Sequence, residues 1–299
     1  MKPGYVLVAL TVVVALISLV WTPFDPNQVS PDRLVGPSLE HLMGTDRFGR
    51  DTFSRILAGA QITLLVGVVA VAIAALVGVP LGIIAGMTRG RVIMAGTDLL
   101  LAFPALLLAI VAGAVWGSST LTATIAIGIA GIPSFIRVTR SGTLQIMTQD
   151  YIAAARISKV PPALIAWRHV LPNLGGIIAI QASVYFALAV LAEAGLSYLG
   201  LGTAPPTASW GRMLHDAQPL LSTHPLQALW PGLAIAGTVL VTMMYLATFP
   251  LGAAGASNPI TTSHWLEAAA MIVVAATRAG DTFGLGKIWA KYVGDSIWR

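Results

Sequence analysis

Residues 150–173 read DYIAAARISKVPPALIAWRHVLPN, a polar, basic, Pro-broken stretch between two long apolar runs. Those flanks decide the fold. Hydrophobic residues make up 56% of the 299-residue chain and charged residues 10%, against roughly a quarter charged in soluble domains. Several runs approach or exceed the ~20 residues that cross a bilayer as helix. They are continuous Ala, Leu, Val, Ile and Gly, without the alternation of a membrane barrel. The expected fold is an all-α polytopic membrane protein. Cysteine is absent, which excludes disulfides, thiolate metal sites and a Cys nucleophile. Basic residues are scattered among the apolar runs, which argues against nucleic acid as a partner.

Inside the stretch, 150–158 is Ala-rich and helix-compatible. Pro161 disfavours helical geometry at Val160, so this helix is expected to end near Lys159. Pro162 suits the first turn of a second helix reaching about Val170, which Leu171 and Pro172 should stop before the next span. The result is two short helices across the membrane face, with an apolar side and an Arg rim. From the residues alone, a solvated loop with interfacial helices fits equally well.

Six apolar runs surround it: 5–21, 61–87 with Pro80, 98–115 with Pro104, 121–136 with Pro133, 174–199 and 228–251. Small cleavage-site residues do not follow the first run, where Trp21, Pro23 and Phe24 stand, so it reads as a span and not a signal peptide. Residues 137–173 hold Arg137, Arg140, Arg156, Lys159 and Arg168 against the single acid Asp150. By the positive-inside rule this link and the basic link 88–97 face the cytosol. Six crossings then leave both termini cytosolic. Segments 22–60, 117–120 and 200–227 fall outside, although 22–60 carries four arginines against that rule. Its mixed signs make it a solvated or interfacial segment. The chain divides into a first span with its external segment (1–60), a transmembrane core (61–251) containing the basic loop 137–173, and a cytosolic tail (252–299).

The 150–173 stretch resembles the coupling loop, or EAA loop, of importer permeases driven by ATP-binding cassettes. The match is to the dipeptide, oligopeptide and nickel permease family, in its C-type subunit. Asp150, Tyr151, Ile152, Ala154, Ala155, Arg156, Arg168, His169, Val170, Leu171, Pro172 and Asn173 stand at the family's spacing. The family's turn glycine falls on Lys159, which removes the residue suited to a left-handed turn and leaves the break to Pro161–Pro162. Gly44-Thr45-Asp46-Arg47-Phe48-Gly49-Arg50-Asp51 is similar to the family's signature before the second span. Asp98 with Leu101-Ala102-Phe103-Pro104 matches its third span. Glu193, Leu196-Ser197-Tyr198-Leu199-Gly200-Leu201-Gly202 and Trp210-Gly211 match the fifth span and the loop beyond. The resemblance covers residues 1 to about 250 and leaves the tail outside.

The resemblance implies a type I ABC importer permease fold with six transmembrane helices in the bacterial inner membrane. It implies an ATP-driven importer of di- or oligopeptides or similar small solutes, in which this chain forms a heterodimer with a second permease. Two cytosolic ATPase subunits would bind ATP and Mg, and a solute-binding protein would deliver substrate from outside. The chain would then be non-catalytic, holding no cofactor or metal of its own. Coupling to the ATPase would fall to Asp150, Tyr151, Ala154, Ala155, Arg156, Lys159, Arg168, His169 and Pro172. Of these, the alanines would permit close approach, the arginines would bond ATPase acids, and Pro172 would fix the joint to the fifth span. Tyr198 and Trp210 would face the substrate path or the binding protein, with interfacial anchoring as the equal alternative. Glu193 is read as a hydrogen-bonding residue, or, in an ion-coupled secondary transporter, as a proton site. The five histidines show no metal-ligand spacing, and no nucleophile elbow is present. Gly284-Leu285-Gly286-Lys287 lacks the remaining residues of a phosphate loop, since Asp281 and Ile288 take their places.

Overall fold

The computed structural model describes residues 13–248, with 14 and 19 excepted. The start of the first span, the end of the last, the 252–299 tail and its Gly284–Lys287 segment lie outside the described residues. Among the described residues the regular structure is helical, apart from an isolated antiparallel bridge between Thr45 and Asp51.

The first long helix, α1 (Thr52–Met87), begins well before the expected residue 61. Asp51 is the reason. Its carboxylate accepts the Ser54 N–H at 2.7 Å and the His41 ring N–H at 2.9 Å, closing the helix N-terminus. The boundary placed between residues 60 and 61 therefore falls inside one helix. Pro80 is carried in α1 without ending it.

The third apolar run is two helices, α2 (Arg91–Leu101) and α3 (Ala105–Trp116), bent by 78°. Pro104 has no N–H to continue the ladder and pushes Phe103 out of helical geometry. α4 (Thr120–Ile146) starts on Ser119, whose hydroxyl accepts the Thr122 N–H at 3.1 Å. It carries Pro133 and runs on past the expected end at residue 136, taking Arg137 and Arg140 into the helix.

The basic stretch forms α5 (Asp150–Ile157), α6 (Pro162–Ile165), a π-helical turn (Ala166–Val170) and α7 (Leu171–Asn173). α8 (Gly175–Tyr198) follows after Leu174 alone. The stop expected at Leu171–Pro172 is not there. The wide turn lets the Leu171 N–H reach the Ala166 carbonyl, and the Asn173 amide donates to the His169 carbonyl at 2.6 Å. Both bonds carry the path past a proline that cannot donate. The segment beyond α8 contains α9 (Trp210–Ala217) and leads into α10 (Leu226–Thr248).

α1, α4 and α8 are long and apolar enough to cross a membrane, and the bent α2–α3 pair passes the same test as one broken span. α1 and α4 share the most extensive contact of any helix pair described. A Cβ on Gly78 would lie 2.5 Å from Phe135 Cβ, one on Gly82 2.6 Å from Thr139 Cβ, and one on Gly86 2.5 Å from Thr143 Cβ. Glycines at every fourth position thus form a groove that the α4 side chains fill. Val66, Ala70 and Ala74 of α1, Phe135 of α4 and Ala189 of α8 form the buried centre.

The bundle has two unlike ends. At one, residues 22–51, the 117–119 turn and the 199–225 segment meet, joined by Arg47–Asp216, Thr120–Thr203 and Gln227–Thr45 contacts. At the other lie the turn after Met87 and the whole basic stretch, with Ile152 packed in the core beside Met87 and Ile146.

Gly82→Leu should therefore lower the stability of the assembled protein by about 1–3 kcal/mol, the usual cost of overpacking. Thermal unfolding in detergent would show it as a reduced Tm. Gly96→Ala, inside α2 and with nothing within 4 Å of the added carbon, should hold Tm or raise it slightly through helix propensity.

Candidate functional site

The basic stretch is a compact knob rooted in the bundle. Ile152 on α5, Ile165 on α6, Val170 and Leu174 are buried and point into the core, with Ala155 and Val160 partly buried beside them. Each of these residues removes apolar surface from water, which holds the two helices down against the ends of α1 and α4. The outward surface carries Asp150, Tyr151, Ala154, Arg156, Lys159, Arg168 and Pro172, all exposed. Tyr151 lies against the half-buried His169, ring centroids 6.2 Å apart, tying α5 to the second helix. Among the described residues neither Arg156 nor Arg168 forms an ion pair.

Two expectations for this stretch are corrected. Lys159 itself adopts the left-handed conformation, with φ +56°. The turn therefore keeps its left-handed residue, and Pro161 serves instead as the N-cap of α6. The Lys159 N–H bonds the Arg156 carbonyl and the Val160 N–H bonds the Ala155 carbonyl, so the end of α5 leaves no room for another geometry. The two alanines also divide: Ala154 faces water, and Ala155 faces the core.

The opposite end is organised by charge. The Gly44–Asp51 signature is a tight loop in which Gly44 (φ +75°) and Gly49 (φ +76°) are left-handed. Asp46 gathers it, accepting the Phe48 and Arg50 N–H groups and pairing with the Arg50 guanidinium at 2.7 Å. Arg55, 2% exposed, donates to the Pro26 carbonyl at 2.9 Å and stands 3.8 Å from Asp46. Asp216 on α9 receives Arg47 at 3.1 Å, Arg212 at 3.4 Å and Arg50 at 3.6 Å. The 44–55 part of the 22–60 segment is thus a partly buried ion network and not a solvated loop. Sequence reading missed it because Asp216 lies far along the chain; the Arg212–Asp216 spacing of four on one helix was its visible trace.

Glu193 is 1% exposed and held on Oε1 by the Ser197 hydroxyl at 2.6 Å and the Thr203 hydroxyl at 3.3 Å. The Thr203 N–H in turn donates to Ser197 at 2.9 Å, and Thr120 of α4 donates to Thr203 at 3.0 Å. The carboxylate therefore pins the end of α8 to the following loop and to the start of α4. Trp210 lines neither a path nor an interface. It is buried, its indole N–H donating to the Ile56 carbonyl at 2.9 Å and its ring filling the space over Gly59. Tyr198 is half-buried, its carbonyl accepting from the His215 ring at 2.7 Å. No cluster of metal-ligating side chains occurs among the described residues.

The family described as "Binding-protein-dependent transport system inner membrane component" matches residues 78–254. A dipeptide transport system permease protein of Alkalihalophilus pseudofirmus is 38% identical, with 79% of each chain covered. Glutathione transport system permease proteins of Escherichia coli and Pectobacterium atrosepticum are 42% and 39% identical, each covering 78% of this chain. The resemblance read from the motifs agrees with all of these.

A left-handed lysine costs about 1–2 kcal/mol relative to glycine. Lys159→Gly should therefore preserve transport and raise Tm slightly, while the β-branched Lys159→Val should lower Tm and transport together. Both are read from thermal unfolding and vesicle uptake of the assembled complex.

Proposed function

We propose that this chain, which belongs to the family of binding-protein-dependent transport system inner membrane components, is one membrane subunit of an ATP-driven importer of di- or oligopeptides. The observation that carries the reading is the knob at 150–173, which presents, on an apolar root, two arginines that form no ion pair among the described residues. Such a surface suits acidic groups on a partner protein, because charge-assisted bonds to guanidinium are strong and directional. The names of the similar permeases, for dipeptide and for glutathione (itself a tripeptide), support a peptide substrate.

In this reading the knob sits in a groove on a cytosolic ATPase, which binds the ATP and Mg. The basic end of the bundle faces the cytosol and the ion network faces out, towards a solute-binding protein. Six spans result when the first apolar run and α10 join α1, the α2–α3 pair, α4 and α8, and both termini are cytosolic. A second, homologous permease completes the passage. When the ATPases close, force on the knob enters α8 without a flexible joint, since the helical path runs from Pro162 to Tyr198 with one intervening residue. At the other side it enters α4 through residues 147–149. The chain needs no catalytic group, because free energy arrives through a protein contact. Glu193 serves as a clamp, and ion coupling through it is the second reading.

Arg156→Glu should leave membrane assembly intact while ATP hydrolysis no longer drives uptake. Vanadate-sensitive, ATP-dependent dipeptide uptake in vesicles holding the full complex measures this; normal uptake with the ATPase bound would defeat the coupling role. Glu193→Gln retains a hydrogen-bonding acceptor and should transport normally, whereas a proton site would lose transport in that variant.

A further inference from the structure

The ion network at the Asp46–Asp216 end does not balance. Arg47, Arg50, Arg55 and Arg212 bring four positive charges to it, and Asp46 and Asp216 return two negative ones. Asp51, another buried acid close by in sequence, is committed to the His41 ring and the Ser54 N–H. The side chains of Arg50 and Arg55 are 8% and 2% exposed, so salt and water screen their repulsion poorly.

Two of these guanidinium groups also keep a donor unspent. The Nε atoms of Arg47 and Arg212 are shut off from solvent and meet no acceptor among the described residues. A buried donor without an acceptor is costly and marks a place suited to a bound water or ion. A cavity of about 20 Å³ lies among the same side chains, lined by Asp46, Arg47, Arg55, Asp216 and Gln227, with Ala217 in its wall. That is room for a single water-sized body. Gln227 donates one amide N–H to the Thr45 carbonyl at 2.8 Å and has a second to give. The two lining carboxylates oppose an anion, but each is already engaged, Asp46 by Arg50 at 2.7 Å and Asp216 by Arg47 at 3.1 Å. Water in the cavity would accept spare N–H groups and leave the positive excess unanswered. A cation would add to that excess, and a phosphate or sulfate exceeds the room.

We propose that this cavity is a chloride site, in which one halide ion accepts N–H groups of Arg47, Arg55 and Gln227. The ion would offset the arginine excess and join the 44–55 segment to α9 and the start of α10. The site is independent of which solute the complex carries.

The test is a chloride titration of the complete complex, read by thermal unfolding at constant ionic strength with gluconate as the balancing anion. Tm should rise with chloride, because a ligand held only by the folded state stabilises it. Arg47→Gln removes one positive charge and should move the onset of that rise to about 10-fold more chloride. Asp216→Asn removes one opposing charge and should move it to about 10-fold less, the effect of one charge several ångströms away in a partly exposed site. Equal Tm in chloride and gluconate overturns the proposal, since screening alone does not tell the two anions apart. An onset that neither variant moves overturns it too, because chloride then acts elsewhere. Should a variant fail to assemble, bromide soaked into crystals of the unaltered complex gives a second measurement. An anomalous peak bounded by Arg47, Arg55 and Gln227 is expected, and its absence overturns the proposal. Ala217→Val, which fills the cavity without changing a charge, should abolish that peak; a peak that persists is an adventitious ion only and overturns the site.

Discussion

The close approach of α1 and α4 sets the positions of everything else. Lipid offers no hydrophobic drive for helices to associate, so contact distance and side-chain fit must hold them. Gly78, Gly82 and Gly86 supply that fit by letting Phe135, Thr139 and Thr143 seat against bare backbone. α8 then leans on the pair, with Gly131 of α4 making room for Tyr185, whose hydroxyl bonds the Ile127 carbonyl. With α4 fixed, its extension beyond the apolar run presents Arg137 to Asp98 and delivers the chain to the knob.

The two ends use charge in opposite ways. At the Asp46–Asp216 end, four arginines share two aspartates across segments distant in sequence. Removing either aspartate would leave partly buried arginines without a counterpart, a cost of several kcal/mol. That network and the Glu193 clamp make the end rigid. At the knob, charges project from an apolar root and meet no acid of their own chain among the described residues. There Ile152, Ile165 and Val170 anchor the knob, which leaves its polar groups exposed.

Hydropathy alone placed the long helices, because the lipid requirement acts on local composition. Motif spacing likewise identified the family. Helix ends were less legible. The start of α1 was hidden in a charged segment, since Asp51 caps through geometry that hydropathy does not register. Pro104 broke its run, whereas Pro80 and Pro133 did not; the same residue type behaves differently according to what neighbouring helices hold in place.

Side-chain roles depended most on the third dimension. Trp210 resembled an exposed aromatic and is a buried plug, and Lys159 was denied the left-handed turn that it occupies. Asp46 with Asp216, and Asp98 with Arg137, are partners only because separate helices bring them together. Sequence by itself determined the class, the family and the polar stretch that interrupts the spans, since each follows from local composition or spacing. Tertiary structure decided which charges are paired within the chain and which stay exposed, because that depends on distances between segments that no local pattern records.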